Sequence, residues 1–340
     1  MVKVSVIIPN YNRAAIVGDT VENMLRQSLA PHEVIVVDDG STDDSVAVLR
    51  CFGDRIILLQ QPNQGPGAAR NAGLNLATGE FIQFMDSDDL SSLNKLEVQA
   101  QTLIKHSADM VYGPWLKAWM DNRCIRLENV VLQQRPLPAS RHPLHWFLTR
   151  WSMVFQQCLI RRTALIRVGG YRKDMRLYED GDLFVRLLLS GATLVHEAES
   201  LTFYRLENYG KLTACGRKNN GAQSDLQAKD TARFYSSVIQ QLQAHPQFEA
   251  ILSDIDFRSR VWQSWHRAGS VTSLAVDGTS EIKRLEAYGN ENKLRLWAWL
   301  QQKQKGLQQR LQGHRWPRCY QSGKLSDRQQ HLIQAMGLSC

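Results

Sequence analysis

Four short apolar runs, each followed by a polar or glycine-containing cluster, alternate with helical periodicity over the first 110 residues, and this alternation leaves few folds open. Residues 4–9, 33–37, 56–60 and 80–85 have the length and bulk of buried strands. Between them Ile16, Val17, Val21, Met24 and Leu25 recur at helical spacing, residues 45–51 follow an Asp-rich turn, and residues 68–77 are again helical. Strand–helix–strand repeats with short connections build a mostly parallel sheet covered on both faces, so the fold class is α/β. Ligands of such sheets sit at the carboxyl ends of the strands. The polar clusters of this chain fall at those ends.

Length and composition bound the rest. A chain of 340 residues, 43% hydrophobic and 22% charged, can hold one large or two modest globular domains. No apolar run approaches the length of a membrane-spanning helix, and the N-terminus reads as a strand instead of a signal peptide. Six scattered cysteines with no Cys-x-x-Cys pair point to reduced thiols, and the expected location is cytoplasmic. His142 and His145 share a Pro-containing segment without a third ligand nearby, which argues against zinc. The net charge of +8 is uneven: residues 290–340 carry nine lysines and arginines against two acids. The basicity therefore belongs to a tail. Residues 108–171 are mixed and aromatic-rich, strands are expected at 193–196 and 200–205, and after about residue 221 only helical periods remain, at 228–243, 248–266, 280–308 and 328–336.

Four constellations could carry chemistry. In an extended segment Asp86 and Asp88 would face the same way with Ser87 turned aside, a donor pair suited to Mg²⁺ or Mn²⁺. The structural alternative is a solvated turn with Asp89 or Ser91 capping the next helix. Asp38-Asp39-Gly40-Ser41 follows a buried strand, where a carboxylate can meet a base or ribose or else serve a turn and helix cap. Gly65-Pro66-Gly67 lacks the third glycine of a dinucleotide fingerprint, since Arg70 stands there. An arginine on the first turn of a helix is instead placed to meet a diphosphate. Glu179-Asp180 opens a helix, as a cap or as a base for an attacking hydroxyl.

Taken in order, Ser5-Val6-Ile7-Ile8-Pro9-Asn10-Tyr11-Asn12, Val37-Asp38-Asp39-Gly40-Ser41, Gly65-x-x-x-Ala69-Arg70-Asn71-x-Gly73, Phe84-Met85-Asp86-Ser87-Asp88-Asp89, Gly169-Gly170-Tyr171 and Glu179-Asp180 resemble the family-2 glycosyltransferases. The resemblance covers about residues 1–210 and is strongest in the first 90. It implies a GT-A nucleotide-sugar-binding fold, Rossmann-like with a mixed, mostly parallel sheet, and an inverting, metal-dependent reaction. It also implies a catalytic domain at 1–215, with 1–110 binding the nucleotide sugar and 111–215 on the acceptor side, and a helical region with a basic tail at 216–340. Pro9, Tyr11, Asn12 and Asp39 would hold base and ribose, Arg70 would lie near base or phosphates, and Asp86 near the ribose. Asp88 would ligate Mn²⁺ or Mg²⁺, Asp180 would be the general base, and Glu179 would shape the acceptor pocket. A Tyr-Arg-x-His segment frequent in the family here reads Tyr204-Arg205-Leu206-Glu207, with Lys211 as a candidate replacement cation.

The implied reaction moves one sugar from a nucleotide sugar, UDP-linked by preference, to a saccharide or lipid-linked saccharide in bacterial surface polysaccharide or glycolipid synthesis. Alternatives are a processive polysaccharide synthase, a non-catalytic sugar-nucleotide-binding protein and a nucleotidyltransferase. Gln312-Gly313-His314-Arg315-Trp316 fits the Gln-x-x-Arg-Trp motif of processive synthases but lies far beyond Asp180 in the basic tail, and is read as chance. Leu294, Trp297, Leu300, Leu307 and Leu311 form an apolar stripe among basic residues, suited either to peripheral membrane contact or to packing on the catalytic domain. No recognition motif for nucleic acid accompanies it. Trp115, Trp119, Trp146 and Trp151 could stack on an acceptor sugar, although core packing is the expected role of most.

Overall fold

The computed structural model describes residues 2–120, 125–206, 221–254, 256–261 and 325–336. The first four strands are β1 (Val4–Asn10), β2 (Glu33–Asp38), β3 (Ile57–Gln60) and β4 (Phe81–Phe84). They pair in parallel, with β1 flanked by β2 and β4 and with β3 outside β2. Three more strands, β6 (Met110–Tyr112), β9 (Cys158–Arg161) and β10 (Leu194–His196), complete a seven-stranded sheet in the order β10-β6-β9-β4-β1-β2-β3. Only β9 runs against its neighbours, β4 and β6.

Strand periodicity divides the core into two layers. Ile7, Ile35, Val37, Ile82 and Phe84 face one side, toward α3 (Pro66–Leu76), α7 (Glu179–Leu189) and α8 (Gly221–Gln243). Val6, Ile8, Val34 and Val36 face the other, toward α1 (Val17–Leu25), α2 (Ser45–Arg50) and α4 (Lys95–Lys105). Both faces are therefore covered by helices, as near-continuous apolar strands require. Helix α8 contributes Phe234, Tyr235, Val238, Ile239 and Leu242 to the first layer, so this helix shares the core of the sheet.

A second, four-stranded sheet has the order β5-β11-β7-β8, from β5 (Leu90–Ser91), β11 (Thr202–Leu206), β7 (Trp115–Met120) and β8 (Ile125–Leu132). The helix Asp327–Ala335 covers it with Ile333 and Met336 against Leu116, Ala118, Val131 and Phe203. This helix begins in a capping box in which Ser326 and Gln329 satisfy each other's backbone N–H groups.

Element types follow the expected order, with instructive shifts. The expected helix at 248–266 is broken after α9 (Glu249–Leu252), where Asp254 Oδ1 accepts from Asp256 N at 2.8 Å and starts a new helical segment. Neither Asp89 nor Ser91 caps α4: its N-cap is Asn94, because Leu90–Ser91 pairs with β11. Trp115, Trp146 and Trp151 are buried, whereas Trp119 is 42% exposed. The expected helix at 280–308, the apolar stripe, the Gln312–Trp316 motif, Glu207 and Lys211 lie outside the described residues. Among the described residues no helix is long and apolar enough to cross a membrane.

Candidate active site

The parallel register sets Asn10 opposite Asp38 at the carboxyl ends of β1 and β2. Asn10 Nδ2 donates to Asp38 Oδ1 at 2.9 Å, and Ser41 adds its hydroxyl at 2.6 Å and its backbone N–H at 3.0 Å. Asp38 is thus the brace of the turn. Asp39 points on: its carboxylate accepts from Gln61 Nε2 at 2.7 Å, Gln64 N at 2.9 Å and Gly65 N at 2.8 Å. Gly65 reaches that oxygen at φ +93°, a conformation that a side chain would strain. Asn12, at φ +51°, ties the β1 end to the same turn by donating its N–H to Ser41 Oγ and accepting from Thr42 N at 2.8 Å. Pro9 is half-buried in β1, and the Tyr11 ring next to it is 46% exposed. Pro9, Tyr11, Asn12 and Asp39 therefore share one strand-end ledge.

The Asp86–Asp89 segment corrects one premise. It is a turn, closed by Asp89 N donating to Asp86 O at 3.2 Å, and not an extended segment. The carboxylates converge nonetheless, since one oxygen each of Asp86, Asp88 and Asp89 lies within 4.8 Å of the others. Asp89 is fully buried and faces inward, with Oδ1 accepting from Arg205 N at 2.8 Å and Oδ2 accepting from Gln156 Nε2. Arg205 also donates Nε to Asp88 O at 2.8 Å and pairs with Asp19 at 3.2 Å, so β11 clamps the turn. Arg13 Nε lies 3.7 Å from Asp88 Oδ2. Asp86 is half-buried, with 31% of its side chain exposed, and Asp88 is buried with 12%. Two hard carboxylates at this spacing fit a small divalent cation that keeps further positions for water and phosphate.

Arg70 joins this turn to α7. It rises from α3 with its side chain 5% exposed, within 2.7 Å of Asp86 Oδ1, 3.1 Å of Glu179 Oε1 and 3.7 Å of Asp180 Oδ1. Its guanidinium also lies 5.2 Å from the centroid of the Tyr171 ring, whose hydroxyl donates to Asp180 Oδ1 at 3.0 Å. Burial opposes the arginine's charge, but Asp180, Tyr171, Asp86 and Glu179 together hold its pKa well above the ordinary value. The carboxylates show the opposite balance. Burial, reinforced by Asp180, pushes Glu179 up to about 7 against the pull of Arg70. Burial also raises Asp180, with Arg70 opposing and Asp86 adding to the rise. The pair consequently holds a proton more readily than separate carboxylates would. Neither residue caps α7, whose N-cap is Tyr178.

Asn71 fixes the geometry. Its side chain donates to Tyr171 O and accepts from Tyr171 N, both at 2.8 Å, clasping the loop before α7 to α3. Gly170 permits this clasp: it sits at φ +66°, and a Cβ there would lie 2.5 Å from Asn71 Oδ1. The expected residues thus form a strand-end ledge (Pro9, Tyr11, Asn12, Asp39) and a charged cluster (Arg70, Asp86, Glu179, Asp180) flanked by Asp88. Asp19, Arg13, Gln61, Gln64 and Gln156 were not legible as partners of this site. Asn71, Tyr171 and Arg205 stood in motifs whose contacts only the fold reveals.

Residues 5–169 match the family model described as Glycosyl transferase family 2. An uncharacterized glycosyltransferase of Haemophilus influenzae is 37% identical over 128 residues, 36% of this chain and 51% of that protein. The UDP-Glc:alpha-D-GlcNAc-diphosphoundecaprenol beta-1,3-glucosyltransferase WfgD of Escherichia coli is 38% identical over 112 residues, 32% of this chain and 44% of its own. The chain thus spans about half the length of these relatives. The fold resembles that of the mannosyltransferase PcManGT from Pyrobaculum calidifontis, solved with GDP-Man and Mn²⁺ (TM-score 0.54, 19% identity, 92% of this chain and 88% of that one). It also resembles S. aureus TarS 1–349 in complex with UDP (TM-score 0.52, 19% identity, 89% and 92% covered). These likenesses establish the GT-A fold.

Proposed function

From the match of residues 5–169 to the Glycosyl transferase family 2 model we propose that the chain belongs to that family and moves a single sugar from a nucleotide-sugar donor to a saccharide or lipid-linked saccharide acceptor, inverting the anomeric centre. Residues 1–215 form the catalytic domain in this reading, and 216–340 a helical region with a basic tail. The observation that carries it is the Arg70 cluster, which places the Asp86–Asp88 turn and the Glu179–Asp180 pair on the two sides of one buried guanidinium.

On the donor side, Pro9, Tyr11 and Asn12 receive the nucleoside, with the exposed Tyr11 ring stacking on the base. Asp39 keeps the ledge in shape through its three accepted hydrogen bonds and borders the ribose. Asp86 and Asp88 would hold Mn²⁺ or Mg²⁺. When bound, such an ion neutralises charge gathering on the departing diphosphate. Arg70 holds Asp86 in place and keeps a positive charge beneath the site.

The acceptor hydroxyl oxygen attacks the anomeric carbon from the face opposite the diphosphate. The carbon–oxygen bond to the phosphate breaks with its electron pair on the leaving group, and the hydroxyl proton passes to Asp180. Asp180 suits this role because its raised pKa makes it a stronger base than an ordinary carboxylate. The Tyr171 hydroxyl orients it. Glu179 borders the acceptor. The chemistry of WfgD, which joins glucose to a lipid-linked GlcNAc, supports a lipid-linked acceptor and a UDP-sugar here, and the GDP-Man complex of PcManGT keeps guanosine donors within the test.

Donor hydrolysis across UDP-, GDP- and dTDP-sugars with Mn²⁺, beside EDTA and Asp88→Ala controls, tests the reading. Cleavage of one donor only with metal and intact Asp88 is expected. Absence of both cleavage and calorimetric binding for every donor would overturn it.

A further inference from the structure

The residue before the carboxylate pair is held in a conformation that its side chain disfavours. Tyr178, the N-cap of α7, sits at φ +62° and ψ +11°, in the left-handed region where an aromatic residue is strained and glycine or asparagine is at ease. Burial of the ring does not explain the choice, since Tyr178 remains 36% exposed. What holds it is α8. Phe234, itself 4% exposed, stacks on the ring at 5.4 Å between centroids and 21° between planes. Asp230, 1% exposed, accepts from the backbone N–H groups of Arg176 and Leu177 at 3.1 and 2.9 Å and so pins the turn leading into it. The Phe234 ring also lies 3.3 Å from where a Cβ on Gly181 would sit, so the same side chain supports the turn from both sides of the carboxylate pair. A buried carboxylate and a buried ring are thus devoted to presenting a tyrosine at the surface, at the start of the helix that carries Asp180.

Stacking on Phe234 uses one face of the Tyr178 ring and leaves its exposure to the other face and edge. An aromatic face backed by a second ring matches the apolar C–H face of a pyranose, whose hydroxyls remain at the rim. We propose that Tyr178 is the acceptor platform: it stacks beneath the pyranose ring whose hydroxyl Asp180 deprotonates, and it makes the site selective for acceptors that present such a face. The inference rests on the glycosyl-transfer reading. It gives α8 a function, since Asp230 and Phe234 fix the platform's height and tilt.

Saturation-transfer NMR on the full chain with UDP and Mn²⁺ tests this, using the methyl glycosides of glucose, galactose, mannose and N-acetylglucosamine at millimolar concentration as probes. Saturation of the ring C–H protons of at least one glycoside is expected. It should fall by about fivefold or more in Tyr178→Gly and persist in Tyr178→Phe. Glycine suits the left-handed backbone, so Tyr178→Gly stays folded, and its thermal midpoint should equal or exceed that of the parent. Ile166→Ala, an exposed apolar residue on α6 (Arg162–Arg167), should leave glycoside saturation as it was. Equal saturation in Tyr178→Gly, or none in the parent chain while UDP binds, overturns the platform and leaves the transferase reading standing. Failure of the parent chain to bind UDP or any nucleotide sugar removes both.

Discussion

The two halves of the site treat their carboxylates in opposite ways. On the proposed nucleotide side Asp38 and Asp39 accept hydrogen bonds from nearby loops, and Asp39 alone accepts three, from Gln61, Gln64 and Gly65. On the proposed acceptor side Glu179 and Asp180 share a single guanidinium with Asp86 of the donor side, and burial pushes Glu179 up to about 7. The first arrangement fixes its carboxylates in place by hydrogen bonds. The second buries Glu179 and Asp180 where their charge costs free energy, so the pair gains by taking a proton. A rigid ledge suits recognition of a constant nucleotide, and an uncomfortable carboxylate suits proton abstraction. Substitutions in the two halves should therefore differ in what they damage.

The largest expected effect is on activity. Asp180→Asn removes the proposed base and should lower kcat by about 10²–10⁴-fold. It should not lower stability above neutral pH, because the wild-type charge is disfavoured there. Steady-state kinetics beside urea unfolding would check both, and a variant losing stability as well as rate would erase the contrast between the halves. Asp39→Asn should do the reverse. It exchanges charge-assisted hydrogen bonds for weaker ones and turns an amide N–H₂ toward backbone donors, costing about 2–3 kcal/mol in urea unfolding. Its kinetic signature should be a higher KM for the nucleotide sugar with a smaller change in kcat. If Asp39→Asn unfolds with the parent's midpoint, the ledge is not held as described.

The contrast also marks what could be read without a fold. The strand-end ledge was legible because its parts are local: a buried apolar strand, an Asp-Asp-Gly-Ser turn and a glycine at a helix start each constrain their own backbone. The order of strands and helices followed from the same short-range patterns. Partnerships across long separations were not legible. Arg70 meets Glu179 109 residues away, and Arg205 reaches Asp88 across 117. Asp89 and Ser91 looked like helix caps until β11 paired with Leu90–Ser91 and drew Asp89 inside. Lys95 is a further case: no sequence pattern marks it as fully buried against Gln83 and Gln99, where burial pulls its pKa down to about 7. Such placements depend on which elements the sheet topology brings together, and residue spacing does not encode them.

The smallest effect tests the acceptor side most directly. Glu179 has an ordinary pKa of 4.5 when unfolded and about 7 in the fold, with burial the chief cause and Asp180 the next. A carboxyl whose folded pKa is raised stabilises the fold fully below its unfolded value. That contribution is lost as pH rises through the folded value. Between pH 4.5 and about 7 the unfolded chain has therefore released this proton while the fold retains it, and stability falls across that window. Glu179→Gln mimics the protonated form and keeps a side chain able to meet Arg70, so it should match the parent near pH 4.5 and exceed it at pH 8. Because the proton of the pair can also reside on Asp180, the gain at pH 8 should be on the order of 1 kcal/mol. Urea unfolding at the two pH values reads it. A constant difference, or a gain that appears only at the acidic end, would mean that Arg70 balances both carboxylates and that the acceptor side is as settled as the nucleotide side.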